Sequence, residues 1–190
     1  MSSSKDSWLD EVRRSRWLAK LERSGETRGP WYAEVLAGIA LSYPGCCYVE
    51  IGVEHGVSMT VIAPCCGEAH GCDVEQPSRA LPHGVRFWHM PSDEFFERYD
   101  GSPPSLVFID GGHSYEQAKQ DYENAIRMLA PGGVIALHDT RPGDESDTGP
   151  ERCGDVWRLE REINLDKFTF EVFPGLTLVR PEPATPPTTR

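Results

Sequence analysis

Two unbroken apolar runs with an amphipathic segment between them dominate the pattern of this 190-residue chain. The runs are 106–109 and 134–137, and an acid, Asp110 or Asp139, follows each within two residues. Unbroken apolar runs of this length are typical of parallel strands buried on both faces. The segment 115–129 repeats apolar residues at three- and four-residue spacing, which predicts a helix. The pattern therefore predicts strand, helix and strand, with a carboxylate at each strand exit.

Turn and capping signals bound this predicted helix on both sides. Ser114 with Gln117 forms a capping box at its start, and Pro131-Gly132-Gly133 ends it. Consecutive parallel strands joined by a crossover leave the sheet at the same edge, about 4.8 Å apart when they are neighbours. We therefore expect Asp110 and Asp139 to converge on one divalent cation or one substrate.

A second constellation lies upstream, where a glycine turn separates two further strands. The segments 48–52 and 68–72 predict strands, and Asp73 ends the second. Gly52 and Gly56 let the backbone turn sharply and approach a ligand closely. Because an acid about twenty residues after such a turn suits ribose recognition, these features predict a nucleoside pocket. A tight strand-helix turn without a ligand is the alternative.

The residues around this turn favour one kind of nucleoside cofactor. A dinucleotide site needs Gly-x-Gly-x-x-Gly, whose middle glycine admits the pyrophosphate. Here Val53 fills the turn, and Glu50 and Glu54 place negative charge where a pyrophosphate would lie. An acidic pocket favours a cofactor that carries an amino group and a sulfonium.

Two further loops extend the predicted site. A third strand, 85–89, leads to Met90 and Ser92, which are candidates for apolar contact with an adenine face and polar contact with its edge. Residues 141–154 form a polar loop with four acids, which predicts either a lid with a further metal ligand or a solvated segment.

The ends of the chain complete the predicted organisation. The pair Pro174-Gly175 predicts a tight turn between two final antiparallel strands. We predict one domain over 1–180, with a helical extension of about residues 1–29 that covers the sheet or forms a homodimer face, and a loosely held tail over 181–190. The remaining predicted elements are helices over 8–21, 31–41 and 155–163 and strands over 169–173 and 176–179.

Composition narrows the function classes. A net charge of −11 and a pI near 5.0 argue against nucleic acid or an anionic membrane as the main partner. The start of the chain lacks the apolar core of a signal peptide, and no apolar stretch is long enough to span a membrane, so we expect a cytoplasmic protein. Six cysteines without zinc-knuckle spacing indicate small buried hydrophobes kept reduced.

Four segments together resemble the class I S-adenosylmethionine-dependent methyltransferases: YVEIGVEHGVS, GCDVEQP, LVFIDGGHSYEQAKQDYENAIRMLAPGGVIALHDT and GLTLVRP. The likeness is closest to the metal-dependent O-methyltransferase group that includes macrocin- and rhamnosyl-type enzymes. IDGGHSYE with HDT is its most specific part. The resemblance covers about residues 30–180 and implies an α/β, Rossmann-like, doubly wound sheet of seven strands, mostly parallel with an antiparallel final hairpin.

The resemblance also implies a cofactor site and a metal site. S-adenosyl-L-methionine would contact Glu50, Gly52, Gly56, Ser58, Asp73, Met90, Ser92 and Asp110. Asp110 and Asp139 would hold a divalent cation, usually Mg²⁺. Thr140 stands where the family commonly has an asparagine ligand, which leaves Asp144, Asp147 or water as replacements.

The implied reaction is methyl transfer to a hydroxyl of a small molecule, such as a sugar or a sugar-bearing natural product. His113 stands where related catechol-type enzymes have a lysine base, so it would take the proton of a hydroxyl acidified by Mg²⁺. The alternatives are a metal-independent methyltransferase on another small acceptor and a non-catalytic binding or scaffold protein. An amino-methyltransferase of nucleic acid is disfavoured, because no Asp-or-Asn-Pro-Pro-aromatic motif follows the fourth strand.

Overall fold

The computed structural model describes residues 31–181 as a seven-stranded sheet with helices on both faces. The helices are α1 Trp31–Ser42, α2 Val57–Ile62, α3 Ser92–Arg98, α4 Tyr115–Met128 and α5 Val156–Glu162. Short 3-10 turns occur at Ala63–Cys65 and Glu145–Thr148. The strands are β1 Cys47–Ile51, β2 Glu68–Asp73, β3 Val85–His89, β4 Leu106–Ile109, β5 Val134–His138, β6 Asp166–Phe170 and β7 Leu176–Arg180.

The strand order is β3-β2-β1-β4-β5-β7-β6, with β1 to β5 parallel and β7 antiparallel to both of its neighbours. From β1 the chain builds outward to β2 and β3, and it then returns to the other side of β1 with β4. Open α/β sheets bind ligands at such a reversal, outside the carboxyl ends of the strands. The predicted mostly parallel sheet with a final antiparallel hairpin is confirmed.

Alternation along the strands divides the core into two layers. Tyr48 and Phe108 point to the layer covered by α1 and α2, while Val49 and Val107 point to the layer covered by α3, α4 and α5. Both faces of β1, β4 and β5 are buried. This two-sided burial is the reason that their sequences are continuous apolar runs rather than alternating ones.

Local signals predicted α4 well. The Ser114 hydroxyl accepts a hydrogen bond from the Gln117 backbone N–H at 3.2 Å, and the helix ends at Met128, before the Pro-Gly-Gly break. The buried positions Ala118, Tyr122 and Ala125 follow the predicted spacing.

The bounds of β6 were predicted wrongly. The structure has β6 at Asp166–Phe170 instead of 169–173, so the loop 171–175 joins it to β7. The predicted tight turn lies within this loop, where the Gly175 N–H donates to the Val172 carbonyl at 2.7 Å. The Glu171 carboxylate, directly after β6, pairs with Arg141 at 2.7 Å. Val172 and Phe173 looked like strand residues, but Val172 is exposed and Phe173 lines a cavity.

Some predictions fall outside the part of the chain that the structure describes. They are the helix over 8–21, the extension of about residues 1–29 and nearly all of the tail over 181–190. Within 31–181, no helix is both long enough and apolar enough to cross a membrane.

Candidate active site

A cavity of about 720 Å³ opens at the carboxyl edge of the parallel strands. Its walls come from the segments that follow β1, β2, β3, β4 and β5, so it lies where the strand order reverses. The residues predicted for the site that line it are Gly52, Ser58, Asp73, Met90, Ser92, Asp110, His113 and Asp139. Glu50, Gly56 and Thr140 do not line it.

Gly52 allows the exits of β1 and β4 to approach each other. Its φ is +87°, and a Cβ atom there would collide with the backbone carbonyl of Asp110. Only glycine fits both the conformation and the space. The turn then starts α2 at Gly56, which has a φ of +73°. Gly52 therefore sets the width of the crevice, and Gly56 shapes the turn beside it.

Asp73 fixes the glycine turn from the end of β2. Its Oδ2 accepts hydrogen bonds from the backbone N–H groups of Val53 at 2.8 Å and Glu54 at 2.7 Å, and its Oδ1 accepts one from Glu75 at 2.9 Å. Asp73 was predicted to contact a ribose. It does line the cavity, and it also holds the turn in place.

Glu50 lies behind the wall of the cavity. Its carboxyl group is fully buried and accepts hydrogen bonds from the Ser58 hydroxyl and, at 2.7 Å, from the Tyr48 hydroxyl. Burial raises the pKa of Glu50 to about 8, against the two hydroxyls, which lower it. Ser58 lines the cavity and stands between Glu50 and its interior. The structure therefore puts Glu50 in a supporting position.

Three potential ligand residues converge where β4 and β5 end. One side-chain ligand atom each of Asp110, His113 and Asp139 lies within 4.8 Å of the other two. His113 Nε2 is 3.3 Å from Asp139 Oδ2. Asp139 has a φ of +59°, which is uncommon for a residue other than glycine and recurs at functional sites. The predicted convergence of Asp110 and Asp139 is thus present, and His113 joins it.

His138 is a cationic neighbour that the sequence did not reveal. Its Nδ1 lies 2.8 Å from Asp110 Oδ1 and 3.4 Å from Asp139 Oδ1, and its side chain is 10% exposed. Burial lowers its pKa, but the two carboxylates outweigh this and raise the pKa of His138 to about 10. Burial in turn raises the pKa of Asp110, while His138 opposes that rise. A protonated imidazole therefore offsets part of the negative charge of the cluster.

Several solved structures share this architecture. Cofactor-bound Rv0187 from MTB has a TM-score of 0.64 and 19% identity, over 95% of this chain and 98% of that one. The O-methyltransferase TomG from Streptomyces achromogenes, involved in tomaymycin synthesis and solved with SAM, has a TM-score of 0.64 and 14% identity, over 96% and 92%. MycE from the mycinamycin biosynthetic pathway, solved with Mg and SAH, has a TM-score of 0.57 and 17% identity, over 88% and 54%. At these identities the likeness establishes the fold.

The comparison of sequences adds a family. A family model described as a methyltransferase domain matches residues 49–140, from β1 to the end of the acidic cluster. Residues 49–140 are therefore similar to a methyltransferase domain, and the fold around them is that of solved methyltransferases. An uncharacterized protein, y4gI of Sinorhizobium fredii (strain NBRC 101917 / NGR234), is 37% identical over 68 residues. Those residues are 33% of this chain and 8% of that relative.

Thr140, which was predicted as a metal ligand, does not line the cavity. It is fully buried, and its hydroxyl accepts a hydrogen bond from Thr177 at 3.0 Å in a separate polar region. The alternatives are also engaged elsewhere, since Asp144 accepts from Ser146 and Asp147 pairs with Arg152 at 2.9 Å. The third residue of the cluster is His113.

The loop over 141–154 closes one side of the cavity instead of supplying a ligand. Arg152 and Cys153 line the wall, and Asp155 donates its backbone N–H to the His113 carbonyl at 2.8 Å. Gly154 packs against the same carbonyl so closely that a Cβ atom would collide with it. The end of the loop therefore holds His113 in position. The lid prediction stays a prediction.

Other residues of the wall were also missed. Tyr32 comes from α1, and its ring centroid is 4.3 Å from that of His138. Burial, with Asp110 and Glu50 adding to it, raises the pKa of the Tyr32 hydroxyl, so it stays neutral. Val74 follows Asp73, is 63% exposed and lines the cavity. An apolar residue directly after the acid was a sequence signal that could have predicted this position in the wall. Phe173 comes from the loop between β6 and β7, which was predicted to be part of a strand.

Proposed function

We propose that this protein transfers a methyl group from S-adenosylmethionine to a hydroxyl group of a small molecule. The observation that carries the proposal is the position of the Asp110, His113 and Asp139 cluster in the same cavity as Gly52 and Asp73. One half of the cavity thus has the features of a nucleoside site, and the other half has groups for a proton and a cation.

The residues present fit the cofactor. S-adenosylmethionine supplies an electrophilic methyl group on a cationic sulfonium. Gly52 lines the cavity without a side chain, so a ligand can approach its backbone. Asp73 Oδ1 accepts one backbone hydrogen bond, which leaves it capacity for a ribose hydroxyl. The carboxylates of Glu54 and Asp110 also line the cavity and favour positive charge there.

His113 is the proposed proton acceptor. Its Nε2 lies 3.3 Å from Asp139 Oδ2. Its backbone carbonyl accepts a hydrogen bond from the Asp155 N–H, so both the side chain and the backbone of His113 have contacts that hold them in place. In the reaction the hydroxyl proton passes to His113, the bond between oxygen and the methyl carbon forms, and the bond between sulfur and that carbon breaks. Asp139 stabilises the protonated imidazole that results.

The cluster also fits a divalent cation. Asp110 and Asp139 supply the carboxylate oxygens that Mg²⁺ prefers, and water completes such sites in many proteins. A cation there would lower the pKa of the acceptor hydroxyl. With both acids as ligands, His113 is left free to take the proton. If His113 also served as a ligand, the mixed nitrogen and oxygen set would suit Mn²⁺ or another transition metal better.

A metal-independent version of the same transfer is the second candidate. The observation that favours it is His138, which lies 2.8 Å from Asp110 and already offsets part of the negative charge of the acids. In that case His113 and Asp139 alone would activate the hydroxyl.

Single-turnover assays with methyl-labelled S-adenosylmethionine test the proposal. We would use a panel of hydroxylated sugars, glycosides and phenols, because the resemblance names a sugar-bearing acceptor class without fixing the acceptor. Transfer to at least one hydroxyl is expected, and loss of transfer on chelation distinguishes the two candidates. Firm cofactor binding without transfer to any acceptor would overturn the proposal in favour of a scaffold protein.

A further inference from the structure

Two cysteines lie in contact where β1 and β2 begin, at the opposite edge of the sheet from the cavity. Cys46 directly precedes β1, and Cys66 lies two positions before β2. Both pack into the core layer that α1 and α2 cover, and neither lines the cavity. Their thiols are hydrogen-bonded to each other, and both cysteines are free. The pair therefore has the contact from which a covalent bond between the two sulfurs can form.

The backbone holds the two strand starts together at the spacing that a disulfide needs. The Cys46 carbonyl accepts hydrogen bonds from the N–H of Gly67 at 2.8 Å and from that of Glu68 at 3.1 Å. Cys66 directly precedes these two donors and has an extended backbone. Neighbouring strands are about 4.8 Å apart, and the Cα atoms of a disulfide are usually about 4.4–6.8 Å apart. A bond between the sulfurs therefore requires little movement of the backbone.

The two thiols differ in access and in acidity. Cys46 is 1% exposed, whereas Cys66 is partly exposed beside the exposed Gly67. The Cys66 Sγ also contacts the Ile62 carbonyl at 3.3 Å. The hydrogen bond from Cys66 lowers the pKa of the Cys46 thiol, although burial opposes this, and the same bond together with burial raises the pKa of Cys66. Cys66 is thus the sulfur that a dissolved reagent reaches, and Cys46 is the sulfur that more readily becomes a thiolate.

The neighbouring thiols are engaged elsewhere. The Cys47 Sγ lies 3.4 Å from the Tyr99 hydroxyl, on the other face of the sheet. The Cys65 thiol contacts a backbone carbonyl of α2 at 3.8 Å. A disulfide between two residues adjacent in sequence rarely has good geometry. Among these four cysteines, the pair Cys46 and Cys66 is therefore the one that the fold prepares for oxidation.

We propose that Cys46 and Cys66 form a redox site, at which a small-molecule disulfide such as oxidised glutathione converts the two thiols into one reversible disulfide. Cys66 passes its proton to Cys46 and attacks one sulfur of the reagent, whose own disulfide breaks and releases the first glutathione thiol. Cys46 then loses its proton, attacks the Cys66 sulfur in the mixed disulfide and releases the second. The protein loses two electrons and two protons, and glutathione gains them. The new bond closes a loop over 46–66, which contains the glycine turn of the cavity wall.

Oxidation of the folded full-length protein by oxidised glutathione tests the proposal. The remaining thiols are alkylated, and the protein is digested without reduction by an endopeptidase that cleaves after glutamate. Cys46 is then in peptide 35–50 and Cys66 in peptide 55–68, so a linked pair of these peptides is expected, and dithiothreitol should separate it. In Cys66→Ser the yield of this pair should fall at least about 10-fold, because no other thiol meets the geometry.

Cys65→Ser is the matched control, because Cys65 is adjacent, similarly exposed and on the same peptide. This variant should give the wild-type yield of the linked pair. A link that persists in Cys66→Ser would make Cys65 the partner and overturn the proposal. A wild-type protein that yields no link, or only a glutathione adduct, overturns it without any variant, so a misfolded variant does not shield it. Methyl transfer plays no part in this measurement, so its failure leaves the proposed function standing.

Discussion

Two clusters of potential metal ligands lie at opposite edges of the sheet and differ in what surrounds them. At the carboxyl edge stand Asp110, His113 and Asp139, and at the amino edge stand Cys47, Glu68 and His70. In each cluster, one ligand atom per residue lies within 4.8 Å of the others. By side-chain type and spacing, both look like metal sites.

The amino-edge cluster is closed by its own hydrogen bonds. His70 Nδ1 accepts from the Trp88 indole at 3.3 Å, and His70 Nε2 contacts Glu68 at 2.7 Å. Cys47 Sγ lies 3.4 Å from the Tyr99 hydroxyl. A metal on Nε2 would require a proton on Nδ1, where the indole N–H already points. Burial also raises the pKa of the Cys47 thiol to about 11, which keeps it protonated. This cluster is therefore structural.

The carboxyl-edge cluster faces a cavity and is only partly satisfied. Asp110, His113 and Asp139 all line that cavity, and His138 is the cationic group beside them. The difference teaches that ligand-type residues alone do not make a site. Access to a ligand and unused hydrogen-bonding capacity separate a reactive cluster from a structural one.

The largest expected effect is on catalysis. His113→Ala should lower the rate of methyl transfer by about 10²- to 10⁴-fold, because a positioned base is removed. His70→Ala, at the amino edge, should leave the single-turnover rate of the folded protein within about 3-fold of wild type, since it touches no reacting group. An equal loss of transfer rate in His113→Ala and His70→Ala would contradict a catalytic role for the carboxyl-edge cluster alone.

The next effect concerns metal binding. Calorimetric titration with Mg²⁺ and Mn²⁺ should show binding to the wild type that weakens at least about 10-fold in Asp139→Ala, because a charged ligand is lost. Cys47→Ala should bind as the wild type does. No heat of binding in the wild type would decide for the metal-independent mechanism, and loss in Cys47→Ala would move the site to the other edge.

The pH dependence of stability should separate two glutamates. The pKa of Glu50 is raised to about 8, so between about pH 4.5 and 8 the folded state holds its proton more firmly than the unfolded state does. Stability from this group is present at low pH and declines as pH rises through that window, by up to about 5 kcal/mol in total. Glu50→Gln should flatten the decline, as measured by urea unfolding of the ligand-free protein.

Glu68 should behave in the opposite way. Hydrogen bonds from Ser102, and next from His70, lower its pKa, so its contribution is present above the unfolded pKa and is lost as pH falls through the folded one. Glu68→Gln should therefore change unfolding only at acid pH and leave the slope from pH 5 to 8 intact. A decline between about pH 6 and 8 that is as steep in Glu50→Gln as in the wild type would refute the assignment.

The smallest expected effect is on the free energy of unfolding. His70→Ala should reduce it by about 2 kcal/mol, because the Trp88 indole and the Glu68 carboxylate lose a partner. The measurement is denaturant unfolding at pH 7. His113→Ala is the comparison, and it should cost less, since His113 is more exposed and faces the cavity.

Much of the fold could be predicted because its signals are local. The apolar runs of β4 and β5, the Ser114 cap and the spacing of Ala118, Tyr122 and Ala125 each depend on neighbours within a few turns of chain. The predicted bounds of β6 were wrong because the apolar residues after Phe170 are of types that strands commonly contain. Only packing shows that Phe173 lines a cavity instead.

The sequence by itself determined the parallel sheet, the exits at Asp110 and Asp139 and the glycine turn before Asp73, because strand period and crossover handedness constrain them. The tertiary structure alone decided that His138 lies beside two acids, that the Thr140 hydroxyl accepts a hydrogen bond from Thr177, and that the Asp121 carboxylate is buried in the cavity wall. These features depend on distances between residues far apart in the chain and on the solvent that burial removes. The hydrophobic pattern and the motif spacing give neither these distances nor the degree of burial.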